Sequence, residues 1–374
     1  MAYRLRYSGL RSMVADVSRR RRAPAGGRAG TRGRSRARGT GRALRIDHFT
    51  LLKRTTLVRI ATSGRSIIAL FALAAATLAW AAYPEKAVQY IIPFAPAGES
   101  DVAARLQAQV FSAKYKQEMV VVNKPGAGGA LAWSQINNAP GDGYTIVGVN
   151  LPHIVLQPLE PGTQFKTEDM TPVYFFHYTP DAIVVANDSP FKTFADLVKA
   201  AKEKPDAVSI AGSGTNSANH VAQVRLDREQ KIKTTYVPFK GTGELVSAVL
   251  GGHVSAAMSY STLALLQKGK MRMLAVATDA RLPQFPDVPT FKELGMNWVD
   301  GAYRGIGVPK STPPAVRKQV SDMMDAINKD PELRKRMTEG GFEVTDIAIE
   351  AIPAFMAERS REYMNSARAL GLVK

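Results

Sequence analysis

Six polar turns in this chain bring together residues that could hold or transform a small polar molecule. The first, Pro96-Ala97-Gly98-Glu99-Ser100-Asp101, joins a strand-like run to a helical one and carries two acids. "NKPGAGGALA" (123–132) offers Gly126, Gly128 and Gly129, and Asn150-Leu151-Pro152-His153 adds an amide and an imidazole. "AGSGTNSANH" (211–220) contains Gly212, Ser213, Gly214, Thr215, Asn216 and His220. "VPFKGTGE" (237–244) holds Lys240 and Gly241, and "SYSTLA" (259–264) holds Ser259 and Ser261. Backbone N–H groups, hydroxyls and amides dominate, which suits a hydrogen-bonding cage for a small anion or polar molecule.

Taken singly, each turn has a plainer reading. Glycines 126, 128 and 129 suit positive φ in a tight turn, and Ser213, Thr215 or Ser217 suit helix N-caps. His220, one turn inside a helix, fits a structural role, and Lys240 alone fits a solvated surface. The functional reading rests on the set. Catalytic signatures are missing: there is no cysteine, "GSGTNS" is not a G-x-S-x-G elbow, and no Walker or dinucleotide fingerprint occurs. His48, His153, His177, His220 and His253 have no metal-ligand spacing, so neither metal nor cofactor is expected.

Glu99 poses a specific problem. A helix N-terminus after a glycine-bearing turn attracts anions, yet this one supplies carboxylates. The expectation is that Glu99 turns outward to solvent while Ser100 or Asp101 caps the helix. The alternative points Glu99 into a cleft, where it repels a second ligand carboxylate and accepts hydrogen bonds from an ammonium, amide or hydroxyl.

The elements that must position these turns alternate. Strand-like runs are 88–94, 119–123, 144–149, 182–186, 208–211, 234–237, 256–260, 271–278 and 304–308. Helical patterns fall at 101–115, 194–202, 217–230, 243–250, 313–328 and 350–370. Such alternation predicts an α/β protein with parallel sheets covered by helices. Ligands of such sheets bind beyond the carboxyl ends of the strands, where all six turns lie.

The formal charge of +18 has a location. Residues 1–82 hold 18 Lys/Arg and two acids, leaving 32 bases and 30 acids in the rest. A nucleic-acid-binding function would therefore have to reside in the basic N-terminus, and none is expected of the folded body. Residues 1–52 read as an untranslated or disordered basic extension. Residues 53–82 read as a signal peptide: Lys53, Arg54, Arg59 and Arg65, then an apolar run 67–80, with cleavage expected near Ala81 or Ala82. The mature chain is expected in the periplasm.

Eight segments carry a resemblance: "YPEKAVQYIIPFAPAGESDVAARL", "VVVNKPGAGGALAW", "DGYTIVG", "GSGTNSANH", "VPFKGTGELVSAVLGGHV", "KMRMLAVAT", "FPDVPTFKELG" and "GVPKSTPPAV". In this order they resemble the extracytoplasmic solute-binding proteins of tripartite tricarboxylate transporters, the Bug or TctC-like family. The resemblance implies a two-domain periplasmic-binding-protein fold with a ligand cleft between the domains. Domain 1 is expected at 83–184 plus 302–374 and domain 2 at 185–301, with crossings near Asp188 and Tyr303. It also implies that Pro96–Asp101 and Gly212–His220, beside Lys240 and Gly241, hold the carboxylate of a small organic ligand. Delivery is expected to the transmembrane permease subunits of a tripartite transporter, by a monomer. A ligand sensor or an enzyme on the same scaffold is the alternative. The family's first turn usually has a second glycine where Ala97 stands, and a tyrosine is common at Phe239.

Overall fold

The computed structural model describes residues 83–373. The basic extension and the signal peptide read from the sequence lie outside the described residues.

Strand β1 (Val88–Ile92) feeds helix α1 (Glu99–Tyr115), and β2 (Met119–Asn123) and β3 (Thr145–Leu151) follow. One-turn helices α2 (Ala130–Trp133) and α3 (His153–Leu156) lie after β2 and β3. The 16-residue β4 (Thr171–Ala186) then leads to α4 (Phe194–Glu203), β5 (Ser209–Gly212), α5 (Ala218–Gln230), β6 (Thr235–Pro238) and α6 (Thr242–Leu250). After β7 (Ala256–Tyr260), short α7 (Ser261–Leu266) and β8 (Met271–Val276), the chain runs into β9 (Gly301–Val308). It ends with α8 (Pro314–Asn328), α9 (Pro331–Glu339), β10 (Glu343–Ile347) and α10 (Ile352–Ala369).

The strand order is β2-β1-β3-β9-β4-β7-β5-β6, with β10 and β8 also pairing with β4. Two triplets are parallel as expected, β2-β1-β3 and β6-β5-β7. The middle is not: β9 and β4 pair antiparallel with each other and with their neighbours. Strand β4 belongs to both halves. Thr171 to Pro180 pair with β9, whereas Asp181 to Val184 pair with β7. Its first half was missed because Pro172 and Pro180 break a ladder. In the fold, one sits at a register shift and the other at the last β9 pair before the partner changes.

Alternation along the second half of β4 shows why both faces of its sheet are covered. Ala182, Val184 and Ala186 pack with Leu245, Val249 and Leu263. Ile183 and Val185 point the opposite way, into Phe194, Leu197, Phe291 and Trp298. A separate core under the first half joins Val88, Tyr90, Trp133, Val147, Phe175 and Met324. The body thus has two lobes, one built on β1, β2, β3, β9, β10 and the start of β4, the other on β5 to β8 and its end.

Candidate functional site

The carboxyl ends of the two parallel triplets face one another. Between them lies a cavity lined by Phe94, Gly98, Glu99, Ser100, Asn150, His153, Ser213, Thr242, Tyr260 and Arg304. It is tight, about 10 Å³ as space for the centre of a water, room for roughly one water molecule. A wider groove of about 460 Å³ lies at the amino ends of β5 and β7. None of the six turns lines it, and none of its side chains holds a buried polar atom without a partner among the described residues.

Glu99 does not face solvent. It is 2% exposed, and Arg304, equally buried, pairs with it through Nη2. Thr262 of α7, from the other lobe, donates to Glu99 Oε1 at 2.5 Å. The outward-facing expectation is therefore wrong, for a physical reason: a buried guanidinium supplies the counter-charge that makes a buried carboxylate tolerable. Arg304 sits in "GAYRGIGV", the one charge in a strand of apolar and glycine residues, and that was the legible signal. The β9 register sets Arg304 opposite Asn150 of β3, so both side chains leave the same face of the sheet. Arg304 Nη1 donates to Thr179 Oγ1 and to the Ala302 carbonyl, and its guanidinium lies 4.1 Å above the Tyr260 ring.

The capping expectation also changes. Gly98 is the N-cap of α1 and makes no side-chain cap. Asp101 instead reaches back to accept the Ala97 N–H at 2.9 Å and takes a two-pronged pair from Arg105, also at 2.9 Å. Burial pushes the Asp101 carboxyl up, but these hydrogen bonds outweigh it and leave the pKa below the usual carboxylate value. Pro96 and Ala97 are exposed.

Five buried side chains at the cavity carry polar atoms without a hydrogen-bond partner among the described residues: Glu99 Oε2, which has only its ion pair with Arg304, Asn150 Oδ1, both His153 nitrogens, Tyr260 OH and Arg304 Nε. Asn150 uses its Nδ2 on Ser100 Oγ at 3.4 Å. His153 packs edge-on against Phe94 and Trp133; burial and then the Arg304 charge hold its pKa down to about 3, so it is neutral at ordinary pH. Burial holds Tyr260 as a phenol: desolvation pushes its pKa up, against the pull of the Arg304 charge. A buried group left without a partner costs about 1–3 kcal/mol. Their convergence on one cavity is what a bound polar ligand would satisfy.

The second turn contributes less than expected. Of Gly212 to His220, only Ser213 lines the cavity. Its N–H and hydroxyl both donate to Asn219 Oδ1, at 3.0 and 2.6 Å. Ser217 caps α5 by accepting the His220 N–H. His220 accepts the Asn216 N–H at 3.2 Å and packs on Tyr236, the structural role. The Gly214 carbonyl takes the Tyr236 hydroxyl at 2.6 Å. Thr215 is exposed; only its carbonyl is used, accepting from Gln157 Nε2 at 3.3 Å. Gly212 accepts the Phe239 N–H through its carbonyl. Lys240 is exposed, and its backbone N–H bonds Glu244. Ser259 and Ser261 are buried but do not line the cavity.

Glycine has a different use here. Gly214 has φ +82°, and a Cβ placed on it would stand 2.5 Å from the Gly128 Cα in the opposite lobe. Gln157 locks this contact, donating from Nε2 to the Gly128 carbonyl at 2.9 Å as well as to Thr215. Gly241 is also buried, and a Cβ there would meet the Ala95 N at 2.9 Å. The glycines let backbone touch backbone between lobes. The sequence reading missed four residues that line the cavity, Phe94, Thr242, Tyr260 and Arg304, and two that bond across the cleft, Gln157 and Thr262. Tyr260 and Thr262 stood inside a quoted turn; Gln157 carried no local signal. Among the described residues no group of three His, Cys, Asp or Glu could hold a metal ion.

Residues 103–372 match the family described as "Tripartite tricarboxylate transporter family receptor". A protein from the TAR-I ttuE-ttuC' intergenic region of Agrobacterium vitis is 31% identical over 293 residues, covering 76% of this chain and 84% of that protein. The periplasmic binding protein BugD has 28% identity and a TM-score of 0.73, over 78% of this chain and all of that one. MatC from Rhodopseudomonas palustris, solved with bound malate, has 26% identity and a TM-score of 0.70, over 76% and 99% of the two chains. The fold is that of the two-domain periplasmic binding proteins.

Proposed function

We propose that this chain, which belongs to the tripartite tricarboxylate transporter family of receptors, captures a small organic carboxylate at the cavity between its lobes and delivers it to permease subunits. The cavity is closed down to about one water here and must widen to admit the ligand. One observation carries this reading: buried, unpartnered polar groups, an acceptor from β3 and donors from α3, β7 and β9, converge beside the N-terminus of the 17-residue α1. Helix N–H groups and the helix dipole favour a carboxylate there. That MatC holds malate supports the ligand class. The protein works as a monomer in the periplasm, as a receptor without catalytic turnover. Its domains take 83–180 with 301–374, and 181–300, so that the first crossing falls before the one expected near Asp188. The change of β4 partners between Pro180 and Asp181 supports a crossing there, matched by the return at Gly301. Closure follows ligand because only the closed form makes both halves of the contacts.

A thermal-shift panel of mono-, di- and tricarboxylates tests the reading. At least one raises the melting temperature, because binding only the folded state adds RT ln(1 + [L]/Kd). The same ligand alters the fluorescence of Trp133, whose ring lies 6.3 Å from that of His153. Stabilisation by neutral sugars or free cations, with none by any carboxylate, would reject it.

A further inference from the structure

We propose that the cleft is built for a ligand with a single carboxylate and a separate hydrogen-bond donor, a hydroxyl, amide or ammonium, and that Glu99 is the residue that excludes more highly charged acids. This deepens, and rests on, the receptor reading above.

The charges facing the cavity nearly cancel. Among its lining residues Glu99 is the acid and Arg304 the base; the others are neutral side chains, His153 included. Arg304 has little charge left to offer a ligand. Its Nη2 is held by Glu99 and its Nη1 by Thr179 and Ala302, so only Nε lacks a partner. Asp101 is turned away to Arg105. Asp181, another buried acid within reach of Arg304, adds no positive charge either. What remains positive is the N-terminus of α1, equivalent to roughly half a unit charge. That matches one carboxylate. A second would meet Glu99 with no free cation to offset it, in a site where little water screens the repulsion.

The unpartnered atoms point to the second half of the ligand. Donors wait in Tyr260 OH, Arg304 Nε and one His153 nitrogen, which suits a carboxylate. Acceptors wait too: Asn150 Oδ1 and the lone pair of the other His153 nitrogen. An acid made only of acceptors would leave these two unsatisfied. A ligand that also donates satisfies both.

The test is titration calorimetry with four probes, lactate, alanine, succinate and citrate, on wild type and Glu99→Gln. The amide keeps the side chain's size and can still accept from Thr262. Wild type binds lactate or alanine at least tenfold more tightly than succinate or citrate. In Glu99→Gln that preference shrinks at least tenfold, chiefly through gained succinate affinity as Arg304 is released, and the change weakens in high salt. Succinate or citrate as the tightest wild-type ligand, or an unchanged preference in the variant, overturns the proposal and leaves the receptor reading intact. Should Glu99→Gln not fold, the wild-type ranking alone decides. If none of the four binds and no carboxylate in the thermal panel moves the melting temperature, the receptor reading falls and this one with it.

Discussion

The two turns that face each other across the cleft use their residues in different ways. In the first, Pro96–Asp101, both acids are buried and each has its own arginine, Glu99 with Arg304 and Asp101 with Arg105. Three of its six residues line the cavity. In the second, Gly212–His220, one residue does, and the rest bond within the turn, to Tyr236 or to the opposite lobe. Both turns look alike as sequence: small, polar, glycine-bearing, at the head of a helix. In the function proposed above, the first turn recognises and the second closes. Charge and buried polar atoms mark the recognising turn, whereas glycine-to-glycine contact marks the closing one.

The largest effect should come from removing the arginine behind Glu99. Arg304→Met leaves a buried carboxylate without its counter-charge, and breaking such a pair from one side costs about 3–5 kcal/mol. Both partners are almost wholly buried, so solvent offers little relief. Arg105→Met is the control in the same turn. Arg105 is half exposed, and Asp101, though buried, keeps the Ala97 N–H when the arginine is lost, so this change should cost clearly less. Urea unfolding measures both. Equal losses would mean that the buried pair is no more than a surface pair in effect, and the recognising role of the first turn would lose its foundation.

Much of the scaffold was legible in the sequence because its signals are local. The residues of β2 and β7 were read to their ends, and the polar turns fell at the carboxyl ends of strands. What failed was non-local. The partner of Glu99 lies 205 positions later on β9, and nothing near residue 99 announces it. Antiparallel β9 and the long β4 arise from pairing between distant segments, and Pro172 and Pro180 masked the strand that joins the lobes. Helix α9 and β10 also went unread: α9 has only Leu333 and Met337 buried, and β10 has no fully buried residue. Of the candidate residues, Gly98, Glu99, Ser100, Asn150, His153 and Ser213 line the cavity. Lys240, Thr215 and His220 were chosen by type, but their surroundings give them other work.

Gly214→Val tests the closing turn. The substituted Cβ would press on the Gly128 Cα, and φ of +82° suits no β-branched residue. The lobes should still fold, although strain at one such position costs about 1–3 kcal/mol. Ligand affinity should fall at least about tenfold, roughly 1.4 kcal/mol, because the closed form is penalised. Calorimetry with whichever carboxylate stabilises the wild type reads this directly. A lower melting temperature with unchanged affinity would make Gly214 a turn residue only, and the contrast between the two turns would narrow.

The smallest effect is expected one residue along, and it cuts most finely between closing and recognising. Thr215 lies in the middle of the second turn, where a hydroxyl in a polar, glycine-bearing loop invites assignment as a ligand contact. Its side chain is exposed, however, and makes no hydrogen bond among the described residues. What the opposite lobe uses is its carbonyl, taken by Gln157 Nε2. Valine preserves both that carbonyl and the branched shape at Cβ. Thr215→Val should therefore change unfolding free energy by no more than about 0.5 kcal/mol, as surface substitutions do, and ligand affinity by less than about twofold. A hydroxyl that did reach the ligand would be worth about 1 kcal/mol, or some fivefold in Kd. Calorimetry resolves that difference. A fivefold loss would place a recognising group in the turn assigned to closure, and both turns would then have to be read as halves of one carboxylate clamp.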